Sequence, residues 1–174
     1  MSQDPERLVL EQALAIGRIH REALGDALDD LHQRDLKTAD LERLGKEDRR
    51  ILDQFAYRYT RLQDDMGAKV MPAVLRALQE DITALSILDR LNRLEQLGWL
   101  PSAEEWAELR RVRNEFAHDY PDTVENRFER LQLALTAARR LLEILAGFEQ
   151  KVQQTAWPWD GKSEEVPAAL VIRQ

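Results

Sequence analysis

The chain has no cysteine in its 174 residues, which excludes disulfides, thiolate nucleophiles and thiolate metal sites together. Histidine is nearly as scarce: His20, His32 and His118 are scattered along the sequence, so a zinc or other metal centre is not expected. With seven glycines and six prolines, the composition is neither fibrous nor disordered. Glycine-rich phosphate loops and Ser-His-Asp patterns are both missing. No apolar run approaches the roughly 20 residues of a membrane span. Met1-Ser2-Gln3-Asp4-Pro5 shows neither a basic n-region nor an apolar h-region, so no secretory signal is expected and a cytoplasmic protein is the simplest reading.

What is present is 44% apolar and 33% charged residues, with a net charge of −7. That balance argues against non-specific coating of nucleic acid. The charge is uneven, however. Residues 1–48 hold twelve acidic against seven basic side chains, whereas Arg49, Arg50, Arg58 and Arg61 face only Asp53 within their segment. Arg110, Arg111 and Arg113 form a second basic point beside His118. Local basic spots on an acidic body suit a phosphate-bearing ligand, or else solvated helix faces laced with ion pairs.

Apolar periodicity predicts a first helix from Pro5 to about Arg34, carrying Leu10, Leu14, Leu24, Leu28 and Leu31 on one stripe. Residues 35–47 read as a connection with at most one helical turn. A second helix carries Leu52, Phe55, Tyr59, Leu62 and Met66 and continues to about Leu78, kinked or divided by Pro72. A third covers about Ile82 to Leu97, stopped by Gly98 and Pro101. Ser102-Ala103-Glu104-Glu105 reads as a capping box launching a fourth, which Pro121 ends near His118 or Asp119. Asp122 with Glu125 caps the last helix, which runs to about Gln154. The expected fold is all-α: an up-and-down bundle of four to five helices over residues 1–154, with an extended tail at 155–174. That tail, with Trp157 and Trp159, either packs on its own domain, frays, or docks a partner.

The richest stretch for chemistry is Arg113-Asn114-Glu115-Phe116-Ala117-His118-Asp119-Tyr120. Asn114 and His118 are four apart and share a helix face. The dipole at a helix C-terminus favours a protonated imidazole, and a histidine that exchanges a proton near neutral pH suits general acid–base work. A neighbouring guanidinium suits a dianionic phosphorane-like transition state. Spacing alone leaves His118 as either a helix cap or a catalytic group. A single His and Arg do not readily supply both acid and base, which makes a site paired across two subunits attractive.

Arg113-Asn114-x-x-x-His118 resembles the Arg-polar-x3-His motif of the HEPN superfamily (higher eukaryotes and prokaryotes nucleotide-binding), and His118-Asp119-Tyr120 extends it to the Arg-x4-His-x-Tyr form of HepT-type toxins. The segment Phe55–Gly67 also resembles the second helix of such proteins. The likeness spans roughly residues 5–150 and is sharp only at 113–120. It implies a helical homodimer in which two motifs share a cleft and act as a metal- and cofactor-independent endoribonuclease. In that reading His118 activates the ribose 2′-hydroxyl or protonates the leaving oxygen, Arg113 stabilises phosphate charge and Asn114 orients. The products end in 2′,3′-cyclic phosphate. Tyr120 matches the tyrosine that a partner minimal nucleotidyltransferase antitoxin modifies with AMP. Arg58, Arg61, Asp65 and Arg110 are candidate supporting or RNA-binding residues; Arg58 and Asp65, seven apart, read equally as a surface pair. The alternative function is a non-catalytic HEPN binding module or an antitoxin-like partner of a minimal nucleotidyltransferase.

Overall fold

The structure, a computed structural model, describes residues 4–118 and 122–160. It is an all-helical bundle, with no strand among the described residues. Helix α1 (Pro5–Arg34) starts where the Asp4 carboxylate accepts from the Glu6 amide at 2.9 Å, and it covers the expected span. A single 3-10 turn at Thr38–Glu42 interrupts the polar connection. α2 (Lys46–Asp65), a π turn at Met66–Val70 and α3 (Met71–Ala77) then form one continuous rod. α4 (Ile87–Gln96), α5 (Ala103–Ala117) and α6 (Val124–Gln154) complete the bundle.

Side-chain pairs fix the directions of these rods. Arg34 meets Asp48 and Gln54 meets the Ala23 carbonyl, so α1 and α2 run antiparallel. Gly17 packs on Leu145, while Leu31 and Leu131 line one crevice, so α6 opposes α1. Phe55 and Tyr59 of α2 stack at 5.5 Å, and Phe116 of α5 packs edge-on against both at 5.6 and 5.7 Å. Phe55 and Tyr59 are wholly buried, and each such side chain stabilises the fold by about 1.5–3 kcal/mol. This aromatic trio seats the C-terminal end of α5 on α2. No helix of the described residues is long and apolar enough to cross a membrane.

Four local expectations are corrected. The break at Pro72 takes the form of a π turn just before it: the Met71 amide bonds the Met66 carbonyl five residues back, so the rod absorbs a residue that lacks an amide hydrogen without splitting. α4 starts at Ile87, not Ile82. Asp81 holds Thr83 in a local turn, and Ser86 caps the helix by accepting from the Asp89 amide at 3.1 Å. Ile82 is buried by that loop rather than by a helix face. Ser102 caps α5 as expected, but Glu105 reaches across to Arg140 of α6 at 2.7 Å. The cap of α6 is Thr123, whose hydroxyl accepts from the Asn126 amide, while Asp122 pairs with Arg130.

The described part of the tail packs on its own domain. Trp157 is buried, donates its indole N–H to the Val152 carbonyl at 3.0 Å, and stacks on Trp159 with centroids 4.9 Å apart. Trp99 and Phe148 extend this second aromatic cluster. Trp99 is placed there by the Schellman-type end of α4, in which Gly98 adopts φ +72° and the Trp99 amide bonds the Leu94 carbonyl. A Gly98→Ala substitution forces an L side chain into that left-handed conformation and is expected to lower unfolding free energy by about 1 kcal/mol in urea titration.

Candidate functional site

α5 ends at Ala117, and His118 leaves the helical path with extended backbone, φ −88° and ψ 121°. Beside that helix end lies an open cavity of about 570 Å³ lined by Arg110, Arg111, Asn114, Glu115 and His118 and by Arg130 of α6. Arg110, Asn114 and His118, all singled out in the sequence, therefore meet in one place. Arg111 and Arg130 were not among the expected site residues. Arg111 is bound to Glu108 and Glu115, and Arg130 to Asp122 at 2.9 Å. Arg110 pairs with no carboxylate among the described residues. Glu115 and His118 both line the cavity, but no group of three potential metal-ligating side chains gathers among the described residues.

Arg113 stands apart from that cavity. Its guanidinium spans the α2–α5 seam and donates to the Asp64 carboxylate at 2.6 Å. A second donor reaches the Asn114 side-chain oxygen at 3.3 Å, so Arg113 connects to the cavity through Asn114. Its Nε is buried and unpartnered, as are the Tyr59 hydroxyl and both amide atoms of Gln63. Burial pushes the Tyr59 phenol far above its ordinary range, with the nearby Arg113 charge opposing the shift. These three orphaned groups lie where α2 faces α5.

The remaining candidates gather elsewhere. Arg58 and Asp65 do not join the His118 cavity; they enclose His20, which is buried at 7% exposure. Arg58 donates to His20 Nδ1 at 3.2 Å, and His20 Nε2 lies 3.2 Å from Asp65 Oδ2. A guanidinium can only donate, so Nδ1 must be the bare nitrogen, and Nε2 carries the hydrogen toward the carboxylate. Lys69 pairs with the other Asp65 oxygen at 2.9 Å. Arg61 is exposed and close enough for its charge to act on His20. The sequence showed His20 in an ordinary amphipathic helix. Its partners are 38 and 45 residues away, and no local spacing announces them. Tyr120 lies outside the described residues.

Comparison with protein-family models, with curated proteins and with solved structures finds no match to the chain.

The His20 cluster has a pH signature. Burial, and then the Arg58 and Arg61 charges, outweigh Asp65 and hold His20 below its ordinary value of 6.5. The unfolded chain therefore binds the extra proton first as pH falls. The stabilisation from this neutral histidine is complete above pH 6.5 and is lost on acidification below it. Thermal melts between pH 7.5 and 5 should show Tm falling with acidification. A His20→Gln variant should show a flatter profile over the same range.

Proposed function

We propose that the chain is a metal-independent endoribonuclease acting at the C-terminal end of α5, with the HEPN-type chemistry that its Arg-x4-His-x-Tyr motif resembles. The observation that carries this reading is the convergence of Arg110, Asn114, His118 and Arg130 on one open cavity in a chain of net charge −7. Arg110, held by no carboxylate among the described residues, attracts a phosphodiester locally, and His118, the extended C-cap residue of α5, lines the same cavity. In the reaction, the ribose 2′-hydroxyl loses its proton to a neutral imidazole and its oxygen attacks phosphorus. The 5′-oxygen leaves as it takes up a proton, giving a 2′,3′-cyclic phosphate and a 5′-hydroxyl. One histidine supplies one of these transfers, and a second copy of the chain supplies the other. Arg110 contacts the phosphate. Arg113 orients Asn114 and adds its charge from behind. In this reading the cognate partner is a minimal nucleotidyltransferase that modifies Tyr120 and so closes the cleft.

One observation favours a second reading, a non-catalytic module that binds a nucleotidyltransferase: Arg113 is engaged by Asp64 and turned from the cavity. The two separate by experiment. The nuclease reading expects the purified chain to cut RNA in EDTA, with His118→Ala folding normally but slowed by about 100-fold or more. Cleavage that survives His118→Ala, or that stops with chelator, overturns it. An inert, non-toxic chain that co-purifies with a nucleotidyltransferase establishes the second.

A further inference from the structure

Beside the His118 cleft lies a second cavity of about 450 Å³, mostly apolar, set between the π turn, α3, α4 and α5. Met71, Leu91, Leu94 and Trp106 form much of its wall, and its volume lies in the range of small-molecule sites. Space beside the indole exists because residue 67 is glycine: a Cβ there would lie 3.4 Å from Trp106 Cζ2. Gly67 and Ala68 belong to the π turn, a device that recurs at functional sites.

Two features point to what this slot holds. The first is Gln63, which lines the cavity at only 3% exposure with its amide nitrogen and oxygen both unpartnered. Native interiors seldom leave a primary amide wholly unpaired. Both amide atoms are sealed from solvent in the cavity wall, and rotation about the terminal torsions presents a donor and an acceptor side by side to a ring in the slot. The second is Arg110, which lines this cavity and also the His118 cleft. Asp64 also lines the slot but is paired with Arg113, and Arg90 there is held by the Ile82 and Leu85 carbonyls. Arg110 is thus the guanidinium that joins the slot to the His118 cleft and can take a phosphate attached to the ring.

We propose that this slot is a subsite for the base of a nucleotide, with Gln63 pairing to the edge of the heteroaromatic ring and Arg110 holding the attached phosphate toward His118. An amide pairs with such an edge in the manner of Asn or Gln with adenine, and the Trp106 indole with the apolar side chains around it supplies contact to the ring faces. The inference rests on the nuclease reading only for the place of the phosphate.

The test is calorimetric titration of the full chain with AMP, GMP, CMP and UMP, and with the matching nucleosides. At least one monophosphate should bind with submillimolar affinity. Gln63→Leu should weaken it by about tenfold or more while raising Tm, because the orphaned amide is gone. Gly67→Val, whose side chain grows into the slot beside Trp106, should abolish binding, and so covers the case in which the first variant fails to fold. Arg110→Ala should weaken the monophosphate more than the nucleoside. Failure of all four monophosphates to bind, or binding unchanged in Gln63→Leu or Gly67→Val, overturns the subsite. Those results leave RNA cleavage by His118 standing. Gln63-dependent binding in a chain that never cuts RNA removes the nuclease and keeps the subsite.

Discussion

Asp64 and Asp65 follow one another in sequence yet project about 100° apart around α2, and the end of the bundle that carries the His118 cavity hangs on that divergence. Asp64 takes Arg113 of α5, and Asp65 takes His20 of α1 and Lys69 one turn on. The last turn of α2 is thereby tied to both neighbours just before the π turn alters the winding of the rod. Buried or half-buried ion pairs of this kind add little net stability when both charges must leave water. Their effect here is on register. They fix how far α5 slides along α2, and so where Asn114 and His118 come to rest relative to α6.

Electrostatics around the cleft are more restrained than a count of arginines suggests. Arg111 is consumed by Glu108 and Glu115, and Arg130 by Asp122. Arg113 is likewise held by Asp64, which leaves Arg110 as the arginine of this cavity without a carboxylate partner, in a chain that is acidic overall. Sequence-independent attraction for RNA grows with the number of phosphates neutralised, and a single such arginine would neutralise few. A nucleic-acid ligand would have to gain affinity from something other than charge. The apolar slot adjoining the cleft, with Trp106 in its wall, offers contact area of that kind.

How much of this was legible in the sequence depended on the range of the interaction. α1, the start of α5 and the end of α6 follow from apolar periodicity and from local signals such as Pro5 and the Ser102 cap, whose amide partner is three residues away. The start of α4 was not legible, because Ile82 and Leu85 continue a helical pattern while serving a loop that Arg90 holds by its carbonyls. The motif residues were visible as a cluster, but their division was not. Arg113 and Asn114 are adjacent in sequence and face different surroundings, and only Asp64, 49 residues earlier, determines which way Arg113 turns. His20 was passed over for the same reason. A histidine on an amphipathic stripe carries no mark of the carboxylate and guanidinium that other parts of the chain bring to it.

The π turn at Met66–Val70 also acts as a phase shifter. One extra residue in a helical turn rotates everything downstream by about 100° relative to an uninterrupted α-helix. α2 and α3 are thus a single rod with two differently aimed faces. The first seats the aromatic trio against α5, and the second buries Met71, Val74 and Leu75. Length in this segment is therefore not interchangeable with length in a surface loop. Removing one residue would keep the rod helical but re-aim α3, turning its buried side chains toward the wrong neighbours and closing the space that Gly67 leaves beside Trp106.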